Sequence, residues 1–285
     1  MRGVDNWHMS DLEHTSNDQP LPLNRVLALD TSTEVLSVAL GPAGDNAPFW
    51  QHEGPGGAQA SAQLIPLILS GLAELGWRLA ELDAVVFGQG PGSFTGLRTA
   101  CSVVQGLAWG AKAQGLPVLP VNTLLATAED ARWQLQQRGL PTPDAMAALL
   151  DARMNEIYAA AVPVGPDGRL SLSAMGPSVL MAPEALLGWL QALPPVQHRC
   201  LVGNATAVYA ERLGEALEHH PVCAARPTAT ALLRLAPGLW RLGHAVPAEQ
   251  AQPLYVRDKV AQTTAERERM KAEKAGAAAA HGGAA

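Results

Sequence analysis

The chain has 285 residues, a hydrophobic fraction of 48% and 16% charged side chains, enough for one large domain or two ordinary lobes and too apolar for general disorder. A net charge of −6 with no long basic stretch removes the cationic footprint that a self-sufficient nucleic-acid binder needs, so any RNA contact should fall to a partner. Cys101, Cys200 and Cys223 are odd in number and far apart, which excludes a complete disulfide framework and points to free thiols in a reducing compartment. No run approaches the about 18 apolar residues of a spanning helix, and residues 1–23 lack the apolar core of a signal peptide, so a cytoplasmic protein is expected.

Residues 1–23 are polar and read as a disordered extension, with Met9 as an alternative start. The apolar run Val26-Leu27-Ala28-Leu29, the polar Asp30-Thr31-Ser32-Thr33-Glu34 and the apolar residues 35–40 predict strand, tight turn and strand. Residues 41–57 are rich in Gly and Pro, with a third short strand over 49–52. Over 61–75 the period becomes helical. Leu64, Ile68, Gly71, Leu72 and Leu75 form one stripe, while Ile65, Leu67 and Leu69 fill much of the remaining circumference. Such a helix must be covered on more than one side, and Pro66 should kink its first turns.

Residues 83–87 predict a buried strand, followed by a glycine-rich segment over 88–98 and a helix over 95–114. That helix carries Ser102, Gly106 and Gly110 on a smooth ridge and Leu97, Cys101, Val104 and Leu107 on an apolar one. A strand over 118–121 completes a right-handed βαβ unit. Near Ala145 the pattern restarts: a strand over 146–150, a turn from Asp151 to Glu156, and a strand over 157–164. This echo of 26–40 predicts a duplicated domain. A helix over 183–193, a strand over 200–202 opening on Gly203-Asn204, and a helix over 229–242 follow. The expected organisation is an extension over 1–23, lobes over 24–124 and 125–257, and a charged, Ala/Gly-rich tail over 258–285.

Two segments invite chemistry. Gly88-Gln89-Gly90-Pro91-Gly92-Ser93-Phe94-Thr95-Gly96-Leu97-Arg98 follows a buried strand and opens a helix, so its amides could nest an anion, and Ser93 or Thr95 could cap the helix. Its spacing matches neither G-x-G-x-x-G nor G-x-x-x-x-G-K-[ST], and it is not the G-x-S-x-G elbow. A tight turn with no ligand is the alternative. Asp30-Thr31-Ser32-Thr33 could touch a metal-bound phosphate, or simply cap a hairpin turn with its own side chains.

These stretches, together with Asp151-Ala152-Arg153, Glu156, Tyr158 and the late Leu254-Tyr255-Val256-Arg257, resemble the TsaB family over about residues 25 to 260. The resemblance implies a two-lobed, duplicated α/β fold of the actin, heat-shock-chaperone and sugar-kinase (ASKHA) type, with mixed β-sheets flanked by helices. It implies a non-catalytic, activating subunit that binds TsaD directly and works with TsaE and TsaC. Together they place threonylcarbamoyl on N6 of adenosine 37 in tRNAs reading codons that begin with A. tRNA is reached through the complex, and a homodimer is the pairing expected without TsaD. The implied partner surface comprises Leu64, Ile68, Leu72 and Leu75 on the first long helix and Thr95, Arg98, Ser102, Gly106 and Gly110 on the second.

The resemblance also implies a degenerate nucleotide cleft at Asp30, Thr31, Ser32, Gly90, Gly92, Ser93, Asp151 and Gly203. Ser32 stands where such folds carry glycine, residues 151–155 contain none, and Gly203-Asn204-Ala205 offers one. Ala60-Ser61 stands where the family often has His-Ser. No cofactor of its own is expected, with ATP or ADP at the joint interface left open. None of the eight histidines forms a His-x-x-x-His pair, so neither a metal site nor a catalytic role is expected. The rival readings are a metal or serine peptidase of the glycoprotease-like group and an active ASKHA-type ATPase or kinase.

Overall fold

Two apolar hairpins seed two sheets of like construction. In the computed structural model, which describes residues 23–44 and 47–257, β1 (Val26–Asp30) and β2 (Val35–Gly41) pair antiparallel, from Val26 opposite Gly41 to Asp30 opposite Ser37. β3 (Trp50–Pro55) adds antiparallel to β2, while β4 (Ala84–Gly90) and β5 (Val118–Asn122) add parallel on the other side. The order is β3-β2-β1-β4-β5. The second sheet repeats this with β6 (Ala145–Asp151), β7 (Ile157–Pro163), β8 (Val179–Met181), β9 (Arg199–Val202) and β10 (Val222–Cys223) in the order β10-β9-β6-β7-β8. β7 and β8 are antiparallel additions, and β9 and β10 are parallel ones. Same order and same senses make this a duplicated α/β fold of two mixed sheets flanked by helices. The expectations of an N-terminal disordered extension, an alternative start and a charged tail fall in 1–22 and 258–285, outside the described residues.

Strand alternation sends Leu27, Leu29, Leu36, Val38, Val85 and Phe87 to one face of the first sheet. There they meet α1 (Ala60–Glu74) and α2 (Phe94–Ala111) in one core with Leu64, Ile68, Leu72, Ala100, Cys101 and Val104. Each Leu, Ile, Val or Phe among them contributes roughly 1.5–3 kcal/mol by leaving water. α1 runs unbroken through Pro66, because Pro66 and Ala62, whose carbonyl loses its intrahelical partner, are both exposed to water. α2 stops at Ala111, short of the 95–114 expected, because Lys112 turns extended and its Nζ donates to the Leu82 carbonyl at 2.7 Å.

The opposite face is covered by two helices. α3 (Thr123–Gln137) touches both sheets, and α8 (Ala229–Arg241) touches α3 and the strands β1, β2, β4 and β5. Where they meet, Glu129 on α3 takes a bidentate pair of bonds from Arg132 at 2.7 Å each and another from Arg234 on α8 at 2.9 Å. The Glu129 and Arg234 side chains are each only 5% exposed. The Arg234 guanidinium also lies 5.1 Å from the Trp133 ring centroid. Losing one member of such a buried set strands the other charge, at a cost of about 3–5 kcal/mol.

The second sheet is covered on its far side by α4 (Leu186–Ala192), α5 (Ala205–Val208), α6 (Ala210–Leu213) and α7 (Glu215–Glu218), through Leu186, Leu190, Ala205, Leu213 and Ala216. The expected helix over 183–193 is thus split into a 3-10 turn (Pro183–Ala185) and α4. The described residues up to Leu254 pack as one unit that holds both sheets, and 255–257 fall outside it. No described helix is long and apolar enough to cross a membrane.

Burial of Ile68 and exposure of its neighbour Leu69 give a direct check on which face of α1 is inward. Ile68→Ala should cost about 2–5 kcal/mol in urea unfolding, whereas Leu69→Ser should stay within about 0.5 kcal/mol of the parent.

Candidate functional site

The two segments singled out in the sequence meet. Asp30 closes β1 on the face opposite Leu27 and Leu29, wholly buried. Its Oδ1 accepts the Ser32 amide at 2.9 Å and the Ser32 hydroxyl at 2.7 Å, while Oδ2 has no hydrogen-bond partner among the described residues. The Ser32 carbonyl accepts the Ser93 amide at 2.7 Å, and the Thr31 hydroxyl donates to the Gly96 carbonyl at 2.7 Å. The Thr123 hydroxyl donates to the Pro91 carbonyl from the side of α3. Ser93 caps α2 by accepting the Gly96 amide at 3.4 Å.

These contacts explain the glycines. A Cβ at Gly92 would lie 2.6 Å from the Ser32 carbonyl oxygen, and one at Gly96 would overlap the Thr31 carbonyl oxygen. The open faces of these residues are therefore filled by the β1–β2 turn itself. Asp30, Thr31, Ser32, Gly90, Gly92 and Ser93 do come together as expected, but Thr31, Ser32 and Ser93 spend their polar groups on one another and on Asp30 and Gly96. In this arrangement the segment is a turn lock, and the phosphate cradle considered from sequence has no free glycine face at Gly92 or Gly96.

Asp151 and Gly203 form a separate cluster. The Asp151 amide donates to Asn204 Oδ1 at 2.9 Å, and Asp151 Oδ1 accepts the Arg153 amide at 2.8 Å and the Tyr209 hydroxyl at 2.7 Å. Burial first, and then the bond to Asp151, push the Tyr209 phenol up to about 12. Arg153, Met154 and Asn155 all have left-handed backbones, with φ of 60°, 54° and 61°. The sequence reading missed this strained turn, since only Asn among the three favours that region. Arg153 also pairs with Glu34, joining the two equivalent hairpin turns. Both side chains are more than half exposed, so the pair adds little stability.

The expected partner surface divides in two. Leu64 and Ile68 are fully buried and Leu72 nearly so, all within the chain's own core, and Leu75 is half-buried against that core. Those four do not present a surface: the stripe assigned to a partner is the one that the sheet takes. Thr95, Arg98, Ser102, Gly106 and Gly110 are exposed, with the Arg98 guanidinium 4.3 Å from the Phe94 ring centroid. The outward face of α1 instead carries Ile65 and Leu69, 43% and 52% exposed, and α2 adds Trp109 at 70%. A Cβ at Gly106 or Gly110 would meet nothing within 4 Å. Among the described residues no group of three His, Cys, Asp or Glu side chains is placed to hold a metal ion.

Comparison with known proteins bears on this geometry. A family model described as TsaD, tRNA N6-adenosine threonylcarbamoyltransferase, matches residues 56–265. The tRNA threonylcarbamoyladenosine biosynthesis protein TsaB of Haemophilus influenzae is 34% identical over 82% of this chain and 94% of its own length. The protein of the same name from Escherichia coli K12 is 31% identical over 83% and 96%. A solved structure, YeaZ from Pseudomonas aeruginosa, superposes with a TM-score of 0.66 at 34% identity, covering 81% of this chain and 99% of that one.

Burial of Asp30 raises its carboxyl from the ordinary 3.8 to about 7, against the lowering effect of the two Ser32 bonds. The folded state thus holds a proton that the unfolded chain releases, and stability should fall as pH rises from about 4 to about 7. The upper limit of that fall is on the order of 4 kcal/mol. Asp30→Asn keeps an acceptor for Ser32 and should flatten this slope. Urea unfolding at pH 4.5 and pH 7.5 checks it; parallel slopes for parent and variant would remove Asp30 as the cause.

Proposed function

The chain belongs to the TsaB family of tRNA threonylcarbamoyladenosine biosynthesis proteins, and on that premise we propose that it is a non-catalytic activator that docks on a TsaD-type threonylcarbamoyltransferase. The observation that carries the reading is the outward face shared by α1 and α2. Ile65, Leu69 and Trp109 hold apolar surface in water beside the smooth row Ser102, Gly106 and Gly110. Ile65 and Leu69, four residues apart on one face of α1, adjoin as exposed apolar surface of the kind that marks association sites. The row lacks large side chains, so a partner helix can approach the α2 backbone closely, within an interface of about 800 Å² per partner.

In this reading TsaD supplies the catalytic groups, TsaE and TsaC act in the same cytoplasmic pathway, and tRNA is contacted through the assembled complex. The chain's acidic balance supports this division of labour. A second copy is the alternative occupant of the face. The filled turn at Gly92 and Gly96 favours a nucleotide, ATP or ADP, held at the joint surface over one held by this chain alone. A serine peptidase is disfavoured because the Ser32 hydroxyl donates to Asp30 and the Ser93 oxygen caps α2.

Gly106→Leu should leave the fold intact, since Leu has the better helix propensity by about 0.8–1 kcal/mol, position 106 is exposed and a Cβ there meets nothing within 4 Å. It should weaken association with TsaD by at least about tenfold, a loss of about 1.4 kcal/mol, and lower tRNA modification reconstituted with TsaC, TsaD and TsaE. Titration calorimetry and the reconstituted assay read the two effects. Unchanged affinity, or steady ATP hydrolysis by the pure chain, would sink the proposal.

A further inference from the structure

We propose that residues 246–254 are a strap that fixes the position of α2, making the docking face depend on completion of the C-terminal half; the inference rests on the docking role proposed above. The strap has three anchors. At its start Val246 and Val118 exchange backbone bonds, each 2.8 Å, which extends the first sheet past β5. In its middle, a 3-10 turn (Ala248–Gln250) carries Ala248 and Ala251 into the core beneath α2. There the Ala251 carbonyl accepts two donors from successive turns of that helix: Cys101 Sγ at 3.0 Å and Gln105 Nε2 at 2.8 Å. At its end the Leu254 amide donates to the Gln89 carbonyl at 2.7 Å. The Leu254 carbonyl lies so close over Gly90 (φ 122°) that a Cβ there would come within 2.5 Å.

The anchors bracket the docking helix. Its N-terminus is held by Ser93 and by the Thr31 bond to Gly96, and its middle by Ala251. Cys101 and Gln105 lie four residues apart on one side of α2, so a single carbonyl that both must reach defines how the helix is rotated about its axis. The outward row Arg98, Ser102, Gly106 and Trp109 is rotated with it. An i,i+4 pair sharing one acceptor also limits sliding along the axis. The strap follows α8, the helix that closes the other face of the same sheet. A docking face aimed by this strap is therefore available only once the chain has folded through to residue 254.

Gln105→Met keeps the aliphatic stem and removes the donor. In the full-length chain it should raise amide hydrogen exchange across residues 94–108 about fivefold, leave the β6–β7 hairpin unchanged, and weaken TsaD binding by a similar factor. Gln105→Glu sets an acceptor against the Ala251 carbonyl once ionised, so the rise in its exchange from pH 4.5 to pH 8, corrected for intrinsic rates, should exceed the rise that Asp30 gives the parent. Gly106→Leu is the control, expected to weaken binding with exchange across 94–108 no faster than the parent's. Parental exchange and affinity in Gln105→Met would overturn the strap, as would a rise spread evenly over the whole chain. Parental binding by Gly106→Leu would instead remove the docking role and leave the exchange data to judge the strap's hold on α2.

Discussion

The structure depends on backbone meeting backbone with no side chain between. The Thr31 and Ser32 carbonyls reach α2 and the segment before it only because Gly92 and Gly96 present bare Cα atoms. That contact ties the end of the central strand to the start of the helix on its outer layer, through Ser93 to Ser32 and Thr31 to Gly96. Its cost is a buried carboxyl. Asp30 must shape the turn with one oxygen while the other meets no partner among the described residues, and burial favours the protonated form. The same residues that would cup a phosphate in a ligand loop here cup a neighbouring turn.

How much of this could be read from the sequence varied with the range of the interactions. The duplication was legible because strand, acidic turn and strand recur as local patterns, and the sheets follow them. The glycine segment was legible as a site of close approach, but not what approaches, since Thr31 lies 65 residues from Gly96. α1 shows two apolar stripes, and periodicity alone does not say which one the sheet will claim. Leu64, Ile68 and Leu72 went inward, which leaves Ile65 and Leu69 to water. α3 escaped notice because its inner side carries Thr123, Thr127 and Glu129, polar residues that read as exposed. Their burial is tolerable only through partners such as Arg234, which is 105 residues away from Glu129.

The two halves use one topology for different ends. In the first, the hairpin turn is packed into the glycine segment, and short polar side chains close it. In the second, the equivalent turn stands on Asp151 and holds three consecutive left-handed residues, with Met154 largely exposed. The frame is common, and the turns differ in that only the first is closed by a facing loop. The Arg153–Glu34 pair still marks their common position at the ends of corresponding strands.

Arg234 has a consequence for the chain as it is made. The five strands of the first sheet are all made by Asn122, yet the face that α8 covers stays bare until more than a hundred further residues have been synthesised. Glu129 must wait equally long for its second guanidinium. On the ribosome this protein therefore passes through a stage with five paired strands, one greasy side and an acid held by Arg132 alone. Until α8 arrives, the N-terminal half is thus the part most open to wrong association.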